Sequence, residues 1–450
     1  MPHLRAIFLS AVGIAALLVA ASEYLNLRAV DPDRPIRSLE RLQTTQPWGG
    51  LAAREAARWL ETRWRLDADS AAEALRWQLG RYPLDPWRWL LLARMTLLTG
   101  NDGEPLRRTL ATAVAVQPGS RQLRWQAANL AQNAGDPDLI LIHLKLWLAD
   151  QPHMTDRALF IAERWVDDPD RLLDEVVPAD DEFLAQAMRY ARRSRSLPLA
   201  EATWQRLDHP RPAADRALAD YVATALDSNR PDRAMAAWQT VDASYRPGDI
   251  PAGRFDLPLE ALSALGWYTR VPDGVSLAIV PVAPKQQTSD PAQAPAGRNA
   301  LMVRFEGEEN IHMNTPFVRF PVPAPGRYRL TGWWRANGLT TRALPQLQLY
   351  AESPDHSFSA TLAVPSAEFG WQPFAIPFET TMDNEILRFR LRRLRTDAFD
   401  RYIAGKLMLA DLGVEPALAD GISGEESEHE ACENNTDTAP LEDLQRDCAD

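Results

Sequence analysis

The sequence predicts an α-helical region followed by an antiparallel β-sandwich, and three observations support this order. Apolar residues recur at helical spacing from residue 47 to residue 243. From Phe255 onward, apolar and polar residues alternate with period two, which is typical of strands that have one buried face. The stretch between them, ASYRPGDIPAG at 243–253, has the proline and glycine content of a linker. The chain has 450 residues, which is long enough for both units.

An apolar segment precedes the helical region. Residues 6–21 form a run of 16 residues without a charge, directly after Arg5. A spanning helix needs about 17–25 residues, and the core of a signal peptide is shorter than this run. Residues 19–21 (VAA) suit cleavage, whereas Tyr24 suits a membrane interface. We predict a single-pass inner-membrane anchor over residues 1–28, with a cleaved signal as the alternative. Either one would place the bulk of the chain in the periplasm.

Helix breaks recur at a nearly constant interval in the predicted helical region, residues 40–243. Pro83, Pro118 and Pro152 are 35 and 34 residues apart, and Gly100 and Gly135 are 35 apart. Two helices per unit of about 34 residues resemble tetratricopeptide repeats. The resemblance implies a solenoid that binds a protein partner on its concave face.

The later part of this region follows the same plan, with Asn229-Arg230-Pro231 as the turn between two helices. Tryptophans at helical spacing are expected to pack neighbouring helices against each other. Those expected in this role are Trp87, Trp125, Trp147, Trp204 and Trp238.

Eight alternating segments after the linker are predicted to be strands. They are residues 275–282, 300–307, 317–322, 328–336, 347–353, 374–378, 387–394 and 406–415. The segments FEGEEN, PGRYRLTGWWRANGL, FGWQPFAIPF, LRFRLRRL and GKLMLADLGVE follow one another in this order. In that order they resemble a carbohydrate-binding-module-type jelly roll of the galactose-binding-like class, covering residues 252–416. The resemblance does not settle function, because the same fold also occurs in proteins that bind no sugar.

An acidic tail follows the sandwich. The net charge of the chain is −12, and residues 420–450 contain eleven acidic residues and one arginine. The tail, 417–450, is poor in large apolar residues and is predicted to be disordered. The nearly neutral remainder gives no sign of a nucleic-acid partner. Both cysteines, Cys432 and Cys448, lie in the tail, so the folded regions hold no thiol nucleophile or thiolate metal site.

Two adjacent tryptophans supply the candidate site. Alternation places Trp334 in the sandwich core and therefore Trp333 on the outer face. The same alternation in neighbouring segments turns amide, aromatic and guanidinium groups outward, and these groups suit the ring faces and hydroxyls of sugars. The arginine stripe suits uronic acids or other anionic glycans. The predicted carbohydrate-binding residues are Trp333, Arg335, Gln346, Gln348, Tyr350, Arg388, Arg390 and Arg392.

No catalytic constellation is present, and no cofactor or metal is expected. Asp411, with Asp256 or Glu306, has the oxygen ligands that a structural calcium would use, but we interpret these groups as surface carboxylates. The sequence contains no G-x-S-x-G, P-loop, G-x-G-x-x-G or H-E-x-x-H motif. The layout resembles exported accessory proteins of bacterial exopolysaccharide or envelope-polysaccharide systems, which implies a non-enzymatic scaffold. Two alternatives remain open at this point. The chain is a purely protein-binding module if the helical region buries Trp333, and a hydrolase if an open cleft holds two close carboxylates.

Overall fold

The computed structural model describes residues 67–417, apart from 102, 210–211, 213–214, 244, 247, 283–294, 296–297 and 353–357. Before residue 67 it describes only residues 17, 20, 21 and 24, so the predicted anchor over 1–28 lies almost wholly outside the described residues. The predicted tail lies outside them too, except for Ala417. Within the described residues, no helix has the length and apolarity needed to cross a bilayer.

The described part of the chain begins with helices. They are α1 (Ala68–Leu79), α2 (Pro86–Leu98), α3 (Glu104–Val116), α4 (Arg121–Ala134), α5 (Pro137–Leu148), α6 (Thr155–Ala162), α7 (Pro169–Val176), α8 (Asp181–Ser194), α9 (Leu197–Arg206), α10 (Arg216–Asp227) and α11 (Pro231–Val241). A 3₁₀ helix, Leu259–Leu265, then leads into the strands.

Short polar side chains and prolines start these helices. The Asp85 carboxylate accepts a hydrogen bond from the backbone N–H of Arg88, and Pro86 occupies the first turn of α2, where a missing N–H costs nothing. Asp136 and Pro137 do the same for α5. The Asp-Pro pairs at 85–86, 136–137 and 168–169 are therefore helix starts.

The predicted helix breaks are confirmed. Pro83, Pro118 and Pro152 each lie between two units, and Gly100 and Gly135 each separate the two helices of one unit. Both glycines have positive φ, at 73° and 69°, a conformation that glycine adopts without strain. The two helices of a unit pack against each other, α2 against α3 and α4 against α5, as the spacing predicts. Their assignment to tetratricopeptide repeats stays a prediction.

Four of the five tryptophans pack between helices as expected, and one does not. Trp147 and Trp238 are buried, and Trp125 and Trp204 are partly buried against the same core. Trp87 is 45% exposed, so its expected packing role is wrong. It lies in the first turn of α2 and lines a groove of about 610 Å³ between α2 and α4, together with Leu98 and Asn129.

A buried histidine makes the helical region sensitive to acid. His143 on α5 is buried, and its Nδ1 has no hydrogen-bond partner among the described residues. Burial lowers the pKa of His143 to about 4. In the unfolded chain the pKa is about 6.5, so as pH falls below that value the unfolded state binds the proton first. Stability is therefore lost as pH falls from about 6.5 to about 4.

Replacing His143 by leucine is expected to remove this acid sensitivity. The difference between the two pKa values corresponds to about 3 kcal/mol of stability at pH 4 relative to neutral pH. Urea denaturation at pH 4.5 and pH 7.5 would show a smaller pH-dependent loss in His143→Leu than in the unchanged protein. The same replacement at His153, which is exposed, is the control and should leave the pH dependence unchanged. Equal acid sensitivity in the unchanged protein and His143→Leu would contradict this prediction.

The C-terminal unit is a sandwich of two five-stranded antiparallel sheets. Its strands are β1 (Trp267–Tyr268), β2 (Val275–Pro281), β3 (Asn299–Glu306), β4 (Phe317–Val322), β5 (Gly326–Asn337), β6 (Gln346–Ala351), β7 (Ser359–Ala363), β8 (Phe369–Thr380), β9 (Glu385–Arg392) and β10 (Ala404–Pro416). Sheet A has the order β1-β4-β9-β6-β7, and sheet B has the order β2-β3-β10-β5-β8.

All eight predicted strands are present, and two further strands, β1 and β7, are not predicted by the sequence pattern. β1 has only two residues, and β7 (SATLA) has a single large apolar residue, so neither shows clear alternation. The core between the sheets contains the inward residues that alternation predicts. They include Leu330, Trp334, Leu347, Leu349, Leu387, Phe389 and Leu391, all at most 4% exposed.

The helical region contacts the sandwich directly. The indole N–H of Trp238 on α11 donates to the carbonyl of Ala264 in the 3₁₀ helix, at 3.1 Å. Arg319 on β4 pairs with Asp227 at the end of α10, with a nitrogen–oxygen distance of 2.6 Å. Residues 248–257, which we call the strap, cross β10, where the Leu412 N–H donates to the Gly253 carbonyl at 3.0 Å. The two units therefore meet through a side-chain hydrogen bond and an ion pair, and a backbone hydrogen bond holds the strap to the sandwich.

Candidate functional site

The structure divides the predicted site residues between two surfaces. Six of them share the outer face of sheet A: Gln346, Gln348 and Tyr350 on β6, and Arg388, Arg390 and Arg392 on β9. The other two, Trp333 and Arg335, lie on β5 and therefore on the outer face of sheet B. The eight residues do not form one site, because β5 belongs to the opposite sheet from β6 and β9.

Register brings the six residues of sheet A into rows across the strands. Gln348 lies opposite Arg390, and Tyr350 lies opposite Arg388. On the other side of β9, Phe317 of β4 lies opposite Arg390 and Arg319 lies opposite Arg388. We call this surface the arginine face. Its residues are Phe317, Arg319, Gln346, Gln348, Tyr350, Arg388, Arg390 and Arg392.

Aromatic rings hold the guanidinium groups of the arginine face in place. The Arg388 guanidinium lies over the Phe317 ring, 4.4 Å from its centroid, and Tyr268 stacks against Phe317 at 5.0 Å. The Arg390 guanidinium lies 4.8 Å from the centroid of Tyr350. Planar guanidinium groups stack on aromatic rings and keep their N–H groups free to bind in the plane. The rings therefore orient the arginines, which leaves the N–H edges as the binding groups.

Two of the four arginines are neutralised by carboxylates. Arg319 pairs with Asp227 and with Glu352, each at 2.6 Å, and Arg388 also pairs with Glu352. These charges form a continuous chain that links α10 to β4, β6 and β9. Sequence reasoning missed Glu352 and Asp227 as partners, because they lie 33 and 92 residues from Arg319.

Among the described residues, the other two arginines have no carboxylate partner. The Arg390 Nε donates to the Gln348 side-chain oxygen at 2.9 Å, and the Gln348 amide donates to the Ser359 hydroxyl at 3.0 Å. Within the described residues neither Arg390 nor Arg392 has an ion pair, and the buried Arg392 Nε has no hydrogen-bond partner. Burial lowers the pKa of Arg390; Tyr350 partly opposes this, and the neighbouring charges of Arg392 and Arg388 lower this pKa further. An anion bound here would relieve this repulsion.

Trp333 lies in a different place, a cleft at the junction of the two units. The cleft has a volume of about 990 Å³. One wall is the outer face of sheet B, with Arg329, Thr331 and Trp333 from β5. The opposite wall is the strap together with Trp238 at the end of the helical region. Trp333 is half-buried, so the helical region does not cover it completely. We call this space the junction cleft.

Arg335 and the carboxylates complete the account of the predicted residues. Arg335 is half-buried on β5 and does not line the junction cleft. Asp411 and Asp256 both line the cleft, whereas Glu306 lies at the end of β3. Among the residues that the structure describes, no group of three or more histidine, cysteine, aspartate or glutamate side chains is placed to hold a metal ion.

Comparison with known proteins finds no family model and no curated protein that matches the chain. Several solved structures are similar. One is the family 11 carbohydrate-binding module from Clostridium thermocellum in complex with a β-1,3-1,4-mixed-linked tetrasaccharide, at a TM-score of 0.22 and 11% identity. This similarity covers 39% of the present chain and 99% of the module.

Two further similar structures are parts of larger chains. One is the enzymatically active domain of tailspike protein 4 from bacteriophage CBA120, at a TM-score of 0.24 and 10% identity, covering 39% of this chain and 21% of the tailspike chain. The other is Naa15/Naa10 bound to HypK-THB, at a TM-score of 0.27 and 16% identity, covering 48% of this chain and 36% of that chain. At these TM-scores the likeness does not assign a function to this chain. The similar structures include carbohydrate-binding modules, and in this chain a helical region precedes a β-sandwich.

Proposed function

We propose that this protein is a non-catalytic binding protein whose sandwich recognises an anionic polysaccharide through the arginine face. One observation carries the proposal: Arg390 and Arg392 lie side by side without a carboxylate partner among the described residues. Guanidinium groups bind carboxylates through two parallel N–H···O bonds, and such bonds are about twice as strong as neutral ones. A uronic acid presents a carboxylate of this kind on every sugar ring.

The groups around the two arginines suit the remainder of a sugar chain. Gln346 lies opposite Arg392, and on the far side of β6 the exposed Ser359 and Thr361 of β7 continue the rows. Amides and hydroxyls both donate and accept hydrogen bonds, as sugar hydroxyls do. A row of guanidinium, amide and hydroxyl groups across the strands therefore matches an extended chain that alternates carboxylates with hydroxyls. The neutralised pair Arg319 and Arg388 closes one end of this surface.

The helical region is proposed to hold a protein partner. The groove between α2 and α4 is lined by the exposed Trp87 and Leu98 beside the polar Asn129 and Asn133. Exposed apolar residues rimmed by polar groups mark interaction surfaces. We further propose tetratricopeptide-like repeats, an inner-membrane anchor, a periplasmic location and a role in exopolysaccharide or cell-envelope polysaccharide assembly. The anchor and location rest on the N-terminal sequence, which lies outside the described residues.

Replacing Arg390 by glutamine is expected to weaken binding of a uronate oligosaccharide by about 10–100-fold, because the bond lost is a charged one worth about 1.5–3 kcal/mol. Isothermal titration of the full chain with an oligogalacturonate of four to six residues, at about 0.15 M salt, measures this effect. Binding should also weaken as salt is raised, since the exposed part of the interaction is screened.

The control variant is Arg327→Gln. Arg327 is exposed on β5 of the opposite sheet, so the change in net charge is the same while the arginine face is left intact. Its affinity for the oligogalacturonate should equal that of the unchanged chain. The proposal fails if the folded full chain binds no anionic oligosaccharide, or if Arg390→Gln and Arg327→Gln have equal affinities.

A further inference from the structure

The junction cleft has the dimensions and lining of a ligand site that is separate from the arginine face. Ligand pockets have volumes of about 300–1,000 Å³, and the cleft has about 990 Å³. Its lining combines the half-buried aromatic ring of Trp333 with the neighbouring apolar residues Pro373 and Ala375 of β8. Pro373 lies opposite Trp333 across the two strands, so the ring and the apolar patch share one surface.

Strained backbone is concentrated around this cleft. Six non-glycine residues of the described chain have positive φ, and Ala252, Phe255 and Asp411 are three of them, at 51°, 54° and 47°. Ala252 and Asp411 line the cleft, and the side chain of the strap residue Phe255 is buried in the sandwich core. Such conformations cost about 1–3 kcal/mol each and persist where the surrounding structure enforces them, often at ligand sites.

The strap holds this wall of the cleft in a fixed position. The Gly253 carbonyl accepts a hydrogen bond from the Leu412 N–H at 3.0 Å, and the Trp267 indole N–H donates to the Pro251 carbonyl at 2.7 Å. Phe255 is fully buried in the sandwich core. These contacts hold the strap wall of the cleft in place, which reduces the entropy lost on binding.

The charges in the cleft favour a neutral ligand that carries hydroxyl groups. Carboxylates outnumber guanidinium groups in the lining, which disfavours an anion: the acids are Asp242, Asp249, Asp256, Asp411 and Glu415, and the bases are Arg246, Arg254 and Arg329. Arg329 and Glu415 neutralise each other at 2.9 Å. The exposed Asp249 and Arg254 on the strap supply an acceptor and a donor across from Trp333. Sugar hydroxyls use acceptors and donors together, and the C–H face of a sugar ring packs on an aromatic ring.

We propose that the junction cleft binds a neutral sugar residue, stacked on Trp333 and hydrogen-bonded by the strap, independently of the arginine face. The sandwich would then carry two sites of different charge preference on its two outer surfaces. Because the strap and the exposed Asp242 at the end of α11 both line the cleft, a bound sugar would contact both the sandwich and the end of the helical region.

The test uses the full chain and a set of neutral probes, namely cellotetraose, xylotetraose, mannotetraose and galactotriose, measured by saturation-transfer NMR and isothermal titration. Binding of at least one probe is expected, and Trp333→Ala should weaken it by about 10-fold, the value of one aromatic stacking contact. Trp165→Ala is the matched control, because Trp165 is partly exposed in the helical region and does not line the cleft. Its affinity should be unchanged.

A second variant keeps the test decisive if Trp333→Ala does not fold. Arg254 is exposed on the strap, so Arg254→Ala should keep the fold and still weaken the neutral sugar. Arg390→Gln should leave neutral binding unchanged, which separates this site from the arginine face. The proposal is overturned if no neutral probe binds, if Trp333→Ala and Arg254→Ala both bind as the unchanged chain does, or if Arg390→Gln abolishes neutral binding.

Discussion

Gly253→Ala is expected to displace the strap from the sandwich and to lower the free energy of unfolding by about 3 kcal/mol, the upper part of the range for overpacked sites. A Cβ at this position would lie 2.2 Å from the Leu412 carbonyl oxygen and 3.2 Å from the Ile250 carbonyl oxygen. Both atoms belong to the backbone, so no side-chain rotation relieves the contact. The hydrogen bond from the Leu412 N–H to the Gly253 carbonyl would be lost with the displacement.

Gly370→Ala is the matched control for this variant. Gly370 lies on β8 of the same sandwich, and a Cβ added there would meet no atom within 4 Å. Thermal unfolding followed by near-ultraviolet circular dichroism should show a large loss for Gly253→Ala and almost none for Gly370→Ala. The strap would not be fixed as described if both variants melted together with the unchanged protein. Because the strap forms a wall of the junction cleft, Gly253→Ala should also reduce neutral sugar binding.

The order of the fold could be predicted from the sequence because its local patterns are strong. The proline and glycine breaks at Pro83, Gly100 and Gly135 mark real helix boundaries, since both residue types act on the backbone locally. Alternation correctly separated Trp334, which is buried, from Trp333, which faces outward. The two strands that the sequence did not predict, β1 and β7, lack such a local pattern. β1 has two residues and β7 has one large apolar side chain, so neither has a pattern to detect.

The site was harder to predict because it depends on which strands share a sheet. Alternation turned Trp333 and Arg390 outward but could not show that β5 lies in sheet B and β9 in sheet A. Phe317 faces outward by the same alternation in FVRFPV, so this signal for a member of the arginine face was present in the sequence. The pairing of Arg319 with Asp227 joins residues 92 positions apart and has no local signature.

Trp238→Ala is expected to destabilise the protein by about 3–5 kcal/mol, the cost of removing a fully buried large aromatic side chain. Trp238 is 0% exposed, packs against Tyr245 at 5.1 Å between ring centroids, and donates to the Ala264 carbonyl. Alanine would leave a cavity and a buried carbonyl without its donor, and each of these costs free energy. Since Ala264 belongs to the 3₁₀ helix that leads into the sandwich, the loss falls on the junction between the two units.

Trp87→Ala separates this effect from the general cost of losing a tryptophan. Trp87 is 45% exposed at the start of α2, so its removal should cost about 1 kcal/mol or less. Urea denaturation gives the stability of both variants, and limited proteolysis at the linker 243–253 reports on the junction. Trp238→Ala should be cut there much faster than Trp87→Ala. Equal stability and equal cleavage in the two variants would mean that the helical region and the sandwich do not stabilise each other through Trp238. The junction cleft would then lack the fixed wall that its proposed ligand needs.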